Sequence, residues 1–333
     1  MTAVGNPIRP SSAPATNGQT AFAPGVGGII TTSDVDRLHD LAPGWAQQSF
    51  QLGRGAFEGS LYLGQTARMQ FATKEWRPGL LVRGSAPKDT AVMGFPLVDS
   101  AAGRLRGLSM APHDFGYVTR GEEVDFRTTT PFRIFLIAMR EEELEAYAEI
   151  VIGRSLRSIV GGHPCFDGGR SVEERQRDVA RLGLDTMYRN VCKLADPLVA
   201  GWVENRILDS LLSGLPCNER RPPPGGMAAL ARRAEDYLLT NLQAPLTIRD
   251  LCQAVGASER TLHLAFRQHL GTTPKAHLKA LRLNAVRRDL RAAAPGQGVM
   301  DVAMRWGFFH AGWLSQDYRR MFGESPSKTL GDR

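Results

Sequence analysis

The last 109 residues of the chain contain the same short pattern twice. The first copy is made by Ile248, Asp250, Leu251, Cys252, Val255, Gly256, Leu262, Phe266, Leu270, Gly271 and Pro274. The second copy is made by Val299, Asp301, Val302, Ala303, Trp306, Gly307, Leu314, Tyr318, Phe322, Gly323 and Pro326. Paired residues are 51 positions apart up to the first glycine and 52 positions apart after it. One helix-turn-helix unit is therefore repeated, and the second turn has one extra residue.

Local signals predict where the helices of this region begin and end. Thr247 is a predicted N-cap, and Gly256 supplies the positive φ that a tight turn between two helices needs. Ser258 is the predicted N-cap of the next helix, and the equivalent helix of the second unit is predicted over 310–322. Residues 274–291 predict a connecting helix of about 27 Å. This length suits two recognition helices spaced by one turn of DNA, roughly 34 Å.

The net positive charge of the chain comes entirely from the repeat region. The whole chain has a net charge of +7. Residues 225–333 carry 16 Lys or Arg against 9 Asp or Glu, whereas residues 1–224 carry 25 of each kind. A basic domain attached to a neutral one predicts a polyanion partner for the basic end alone, and two helix-turn-helix units make double-stranded DNA the expected one. Solubility charge on a helical surface is the alternative explanation.

Outward positions of the two recognition helices predict which residues contact DNA. Base reading is expected from side chains that can hydrogen-bond base edges, namely Arg260, His263, His310 and Gln316. Contacts with the DNA backbone are expected from Ser258, Thr261, Arg267, Ser315, Arg319, Arg320 and Lys328. Ala311 and Gly312 offer only close approach or a contact with a thymine methyl group, so the second unit is expected to discriminate bases less than the first.

The N-terminal half has a β-type pattern followed by a helical one. Over residues 57–139, short apolar runs recur about every ten residues between glycines and prolines, which predicts an antiparallel sandwich or a small barrel. Residues 140–217 then have helical spacing, with a break near Asp196 and Pro197. These helices either cover the barrel or pair with a second copy of the chain. The predicted fold class is α+β and multidomain, with an all-α C-terminal domain.

Composition predicts the domain boundaries. Residues 1–32 are rich in Pro, Ala, Gly, Ser and Thr and are expected to form a disordered tail. Three successive prolines within residues 218–226 favour an extended linker. The remaining segments are a sensor or dimerisation domain at 33–217, β-rich over 57–139 and helical over 140–217, and a DNA-binding domain at 227–333.

Little in the sequence indicates metal, redox or secretory chemistry. The cysteines form no CxxC pair, so neither a zinc site nor a disulfide framework is predicted. His113 beside Asp114 is too small a set for a metal-dependent barrel, and no cofactor is expected. The N-terminus has no secretion signal pattern and no apolar run approaches the roughly 18 residues of a membrane span. We expect a cytoplasmic protein without a membrane partner.

Several polar groups of the N-terminal half are candidate sites. Four arginines are either the lining of an anion pocket or solvated charges on strand edges, namely Arg83, Arg104, Arg106 and Arg127. Residues 163–167, His-Pro-Cys-Phe-Asp, are the one candidate for an activated cysteine or a metal cluster. A loop with incidental polar residues is the simpler interpretation of that motif.

The second unit also carries the residues of a family resemblance. Residues 303–308 and 318–326 closely resemble the signature of the AraC/XylS family of bacterial transcription regulators, and the resemblance covers 227–330. Within that family, residues 307–312 and 317–320 are most similar to the subgroup that contains the ethanolamine-operon regulator. The resemblance implies that the N-terminal β domain is a cupin-like barrel, which binds a small molecule or a partner protein.

The resemblance also assigns base-reading positions residue by residue. They fall on Arg260, His263 and Leu264 in the first unit and on Ala311, Gly312 and Gln316 in the second. Several family members have Arg or Gln at these positions, so Leu264, Ala311 and Gly312 are departures. The operator sequence of this protein therefore cannot be inferred from the operators of its relatives.

The sequence supports a sequence-specific transcription regulator with an N-terminal sensing or dimerisation domain, and the family favours an activator. Its expected partners are promoter or operator DNA, a small-molecule effector, RNA polymerase and, in a homodimer, a second copy of the chain. An enzyme is not expected. Two alternatives stay open: a DNA-binding tail fused to a repair or metal-dependent enzyme, and a regulator controlled by a partner protein.

Overall fold

Two antiparallel sheets make up the first half of the molecule. The computed structural model describes residues 22–40, 42–97, 103–161, 163–167, 172–213, 215 and 226–331. Their strands are β1 (Gly27–Thr32), β2 (Ala46–Gln51), β3 (Glu58–Gln65), β4 (Met69–Arg77), β5 (Leu80–Ser85), β6 (Thr90–Pro96), β7 (Gly103–Leu105), β8 (Leu108–Met110), β9 (Asp114–Val118), β10 (Glu123–Arg127), β11 (Phe132–Arg140) and β12 (Cys165–Asp167). One sheet has the order β1-β3-β4-β11-β6-β9-β12 and the other the order β2-β5-β10-β7-β8.

The seven-stranded sheet is buried on both faces. Phe71 and Phe135 point to one face, and their neighbours Ala72 and Leu136 point to the other. Because successive side chains of a strand alternate between faces, a sheet covered on both sides reads as short continuous apolar runs. One face packs on the five-stranded sheet around Trp76, whose ring contacts Phe126 and Phe132.

Helices cover the second face of this sheet. They are α2 (Glu141–Ile152), α3 (Leu156–Val160), α4 (Val172–Arg189) and α5 (Pro197–Leu212), and a short α1 (Arg37–Asp40) precedes β2. The helix predicted to begin at residue 140 is broken after Ile152, where Gly153 adopts φ +73°. The predicted break before Pro197 is confirmed, and Asp196 caps α5. Buried residues of α4 and α5 share the core of the sheet, so these helices cover the barrel.

The second half of the molecule is helical. Its helices are α6 (Gly226–Thr240), α7 (Ile248–Val255), α8 (Glu259–Ala265), α9 (Pro274–Arg291), α10 (Val299–Arg305), α11 (Ala311–Phe322) and α12 (Pro326–Gly331). A single π-helical segment, Phe266–Leu270, continues α8. Two separate cores form, and α9 serves both: Leu278 and Leu281 belong to the first, Leu283 and Val286 to the second.

The predicted fold class is confirmed, with two local corrections. The prediction of a disordered tail is wrong for residues 27–32, because Ile29 and Ile30 lie in β1 and pair with Tyr62 and Leu61 of β3. The loop predicted at Cys165 is a short strand, β12, which pairs with β9. Residues 1–21 of the predicted tail and 218–225 of the predicted linker lie outside the described residues. Among the helices that the structure describes, none has the length and apolar character to cross a membrane.

The β domain and the helical domain are packed against each other. Phe50 of β2 and Leu81 of β5 are buried in the core of the first helix-turn-helix unit. Beside them, Arg83 and Arg127 pair with Glu235 of α6, with 3.0 Å between Arg83 Nη2 and Glu235 Oε2. These two arginines are therefore not solvated strand-edge charges, because they lie inside the domain interface and pair with a carboxylate of the other domain.

Candidate DNA interface

The first helix-turn-helix unit is held by the predicted caps. The Thr247 N–H donates to Asp250 Oδ2 at 2.9 Å, and the Asp250 N–H donates to Thr247 Oγ1 at 3.2 Å. This reciprocal pair begins α7, and Gly256 at φ +66° ends it. Ser258 then caps α8, its Oγ accepting from the Thr261 N–H at 3.2 Å. The local sequence thus fixes both helices of the unit.

The second unit repeats this design with a longer turn. The Gly298 N–H donates to Asp301 Oδ2 at 2.8 Å where α10 begins, and Gly307 has φ +81°. Three residues separate Gly307 from α11, whereas two separate Gly256 from α8. His310 occupies the N-cap position of α11 without a side-chain capping bond. The extra residue inferred from the repeat therefore lies in the turn.

The predicted base-reading residues lie at the leading ends of the two recognition helices. Arg260 is exposed in the first turn of α8, and His310 and Gln316 are exposed at α11. His263 is half-buried, with its Nε2 3.9 Å from Glu259 Oε1. The two helices thus present different chemistry at equivalent places.

The predicted backbone-contacting residues are polar and mostly exposed. Ser258 and Thr261 hydroxyls lie 2.8 Å apart and bond each other. Within the described part of the chain, no ion pair occupies Arg260, Arg319 or Arg320, and Arg267 is exposed. The remaining two are Ser315, which is half-buried, and Lys328, which is exposed with its Nζ 3.8 Å from Glu324 Oε2. Guanidinium groups without a protein carboxylate suit phosphate oxygens.

Most of the positive charge on α9 is instead used inside the protein. Arg287 is buried, with its Nη2 3.1 Å from Glu324 Oε1 and its guanidinium 4.6 Å from the Phe322 ring centre. Burial lowers the pKa of Arg287 from its ordinary value. Arg282 donates to the Leu242 and Ala244 carbonyl oxygens at 2.9 and 2.6 Å. The excess charge of the domain therefore overstates the number of cations available to DNA.

Polar contacts, one exposed and one buried, fix the second recognition helix. Lys279 Nζ of α9 lies 3.0 Å from both carboxylate oxygens of Asp317. The Tyr318 hydroxyl donates to Thr329 Oγ1 at 2.9 Å, and burial raises the pKa of Tyr318 to about 12. Because α9 also anchors the first unit, the two recognition helices are held in one arrangement.

Sequence reasoning missed an aromatic surface at the start of α11. Phe309 and Trp313 are each 71% exposed, and the His310 and Trp313 rings lie 4.9 Å apart between centroids. The repeat held a usable signal, since an offset of 52 pairs Trp313 with Thr261 at the edge of the first recognition helix.

Comparison with known proteins also identifies a helix-turn-helix domain in the C-terminal region. A helix-turn-helix domain family model matches residues 251–331. The "Probable thc operon regulatory protein" of Rhodococcus erythropolis is 41% identical over 109 residues, 32% of this chain and 33% of that protein. XylDLEGF operon transcriptional activator 3 of Pseudomonas putida is 31% identical over 138 residues, 41% of this chain and 42% of that protein.

Solved structures include similar chains. A crystal structure of a probable AraC family transcriptional regulator from Rhodopseudomonas palustris CGA009 is 36% identical, covers 31% of this chain and 96% of that chain, and has a TM-score of 0.30. The chain spans only 33% and 42% of the two curated relatives named above. The resemblance therefore extends over less than half of each of these two relatives.

Proposed function

We propose that the chain is a sequence-specific DNA-binding regulator of the AraC/XylS family that activates transcription, with support from the helix-turn-helix family model and the operon regulators that its sequence resembles. The observation that carries this proposal is the pair of exposed recognition helices held by α9. Each exposes predicted base-reading side chains beside arginines that make no ion pair within the described residues. An activator role takes its support from the relative that is named an operon transcriptional activator.

The test is DNA binding by the full chain over a range of salt concentrations. We expect tighter binding to the DNA upstream of its own gene than to random duplex, and an affinity that falls steeply with salt because several cations displace counterions. An Arg319→Ala, Arg320→Ala double variant should show a shallower salt dependence. Equal affinity for upstream and random DNA at every salt concentration would contradict sequence-specific regulation.

The effector of this regulator is a small molecule held between the two sheets. Support comes from a cavity of about 70 Å³ with apolar walls that include Trp76 and Phe126. Lys74 lies at the same cavity, where burial lowers its pKa to about 8, and its Nζ is 4.8 Å from the Trp45 ring centre. A thermal-shift screen of the full chain against small metabolites, repeated with Lys74→Met, tests this assignment. Control by a partner protein is the outcome if no metabolite shifts the melting temperature.

A second copy of the chain is proposed to pack on the outer face of α5. Leu198 and Trp202 lie one helical turn apart there and are 85% and 58% exposed. Exposed apolar side chains grouped in this way mark protein interaction surfaces. Light scattering should give a dimer for the wild type and a monomer for Leu198→Glu, Trp202→Glu.

The enzymatic alternative draws little support from the candidate motif. Cys165 is buried in β12, which removes its thiol from solvent and substrates. We propose a cytoplasmic regulator without enzymatic activity that works with RNA polymerase. A Cys165→Ser variant is expected to keep full regulatory activity, and loss of regulation with intact DNA binding would reopen the enzymatic hypothesis.

A further inference from the structure

Three aromatic residues lie within five positions of one another at the start of the second recognition helix. Phe309 lies in the turn, His310 at the N-cap and Trp313 in the first turn of α11. Phe309 and Trp313 expose 71% of their surface, and the His310 and Trp313 rings meet edge to face at 4.9 Å. Such exposure of large aromatic groups is unusual for a surface that meets only water. The exposure of these aromatic side chains therefore points to a binding role rather than a role in folding.

The internal repeat provides a control for this interpretation. Buried positions of the two recognition helices match in character: Leu262 with Leu314, and Phe266 with Tyr318. Trp313 has no such counterpart, because the equivalent position of the first unit holds the half-buried Thr261. The fold of the unit therefore does not require an aromatic residue at this position, and the change is confined to the outer surface of the helix.

We propose that Trp313, flanked by Phe309 and His310, determines the base preference of the second unit by apolar contacts with thymine methyl groups in the major groove. This inference rests on the proposed DNA-binding function. An indole ring cannot accept a hydrogen bond, but it can cover the C5 methyl group that distinguishes thymine in that groove. The second unit then recognises bases by their methyl groups, whereas the first recognises them by hydrogen bonds from Arg260.

The position of Trp313 on its helix favours DNA over a protein partner. Gln316 and Arg320 follow it at three and seven residues, so the three side chains form one stripe along α11. That stripe joins a predicted base reader to a cation that makes no ion pair within the described residues. The mixture of an apolar group with a polar and a basic one matches the composition of a DNA-reading surface.

The glycine at position 312 also supports base contact by Trp313. A Cβ atom added at this residue would meet no atom within 4 Å, so packing does not require glycine there. The absence of a side chain lets the start of α11 approach the floor of the groove closely. Close approach brings the neighbouring Trp313 within reach of base edges, which a bulkier residue at 312 would prevent.

The experiment begins with in vitro selection of binding sites by the full chain. Thymines of the selected site are then replaced one at a time by deoxyuridine, which lacks only the methyl group. We expect one or two replacements in one half-site to weaken wild-type binding about fourfold each, the effect of a buried methyl group. Trp313→Ala should weaken binding to the selected site about tenfold and should no longer distinguish thymine from uracil at those positions.

Matched variants separate the outcomes. Ile150→Ala removes another large, exposed apolar side chain, on the N-terminal domain, and should leave DNA binding and the uracil effects unchanged. Because Trp313 is exposed, Trp313→Ala should melt at the wild-type temperature. If the wild type selects no sequence, the proposed function itself fails. If it selects one but Trp313→Ala shows the wild-type uracil effects, only this inference is overturned; loss of activation with unchanged DNA binding would assign the surface to a protein partner.

Discussion

The carboxamide of Asn284 bonds both backbone groups of Gln51: its Oδ1 accepts from the Gln51 N–H at 2.8 Å, and its Nδ2 donates to the Gln51 carbonyl oxygen at 2.9 Å. Gln51 ends β2, an edge strand of the five-stranded sheet, and Asn284 lies in the middle of α9. The side chain therefore takes the place of a neighbouring strand and satisfies groups that an edge leaves unpaired. It also fixes the helix that carries both recognition units against the barrel.

Asn284→Ala should destabilise the contact between the two domains. The variant leaves a buried donor and a buried acceptor of Gln51 unsatisfied, at a cost of about 1–3 kcal/mol each. We expect a lower melting temperature of the full chain in calorimetry. Gln297→Ala is the control, because the Gln297 side chain makes a local, exposed contact in which its Oε1 accepts from the Ala294 N–H at 3.3 Å. A melting temperature equal to that of the control would show that the Asn284 bonds contribute nothing.

Glu235 is the centre of the charged part of the same interface. Its carboxylate pairs with Arg83 and Arg127 from the barrel and lies 2.6 Å from His277 Nε2. All four groups are buried or nearly so. Removal of one partner from a buried charge cluster leaves the others without compensation.

Glu235→Gln is therefore expected to cost roughly 3–5 kcal/mol of unfolding free energy. Urea unfolding followed by tryptophan fluorescence measures this loss. Asp236→Asn provides the comparison, because the Asp236 side chain is 48% exposed and its pairing with Arg83 is screened by water. If the two variants lost equal stability, Glu235 would not be the centre of the charged part of this interface.

The buried His277 predicts a pH dependence of stability. Burial, with added repulsion from Arg127 and Arg83, lowers the pKa of His277 well below its ordinary value. The folded protein thus keeps His277 neutral while the unfolded chain binds a proton below about pH 6.5. The free energy of unfolding should fall as the pH falls below that value, by at most about 1.4 kcal/mol per pH unit, and this group should contribute no slope above it.

Comparison of the wild type with His277→Gln isolates this contribution. Urea unfolding between pH 5 and 8 is expected to give a smaller acid slope for the variant, since glutamine takes up no proton. Parallel stability curves for the two proteins would mean that His277 is protonated in the fold, held by Glu235.

Elements with local signals were predictable from the sequence. Caps and turn glycines act on their own neighbours, so Ser258 and Gly256 appear where the repeat places them, and α9 has the predicted bounds of 274–291. The burial of Arg127 was not predictable, because its partner Glu235 lies 108 residues further along the chain. Composition also gave a wrong prediction of disorder at Ile29, because this glycine-rich segment pairs with β3 as a strand.

The candidate site was predicted only in outline. Types and positions of helices followed from the repeat, but the use of Arg287 inside the protein depended on packing against Phe322 and Glu324. The exposure of Trp313 ran against the general tendency of large aromatic residues to be buried. In both cases the tertiary environment, not the local pattern, decides whether a side chain is available to a ligand.

Arg260 and Arg319 are predicted to make different kinds of DNA contact. Arg260 is exposed in the first turn of α8, where a guanidinium can form a bidentate pair with guanine. Arg319 is exposed two turns into α11, beyond the leading end that reaches the bases. Arg260→Ala should therefore relax base preference at one position at a cost of about 1–3 kcal/mol, whereas Arg319→Ala should weaken binding on all sequences alike and reduce the salt slope by about one.

Binding of the full-length variants to the selected site, its single-base variants and random duplex at several salt concentrations distinguishes the two roles. Arg233→Ala removes an exposed arginine of α6 and controls for the loss of one positive charge. Because base contacts act only on the preferred sequence, the Arg260→Ala affinity should approach that of the wild type on random DNA. Equal losses from Arg260→Ala and Arg319→Ala on every sequence would mean that both residues contact phosphates, and base selection by the first unit would then fall to His263.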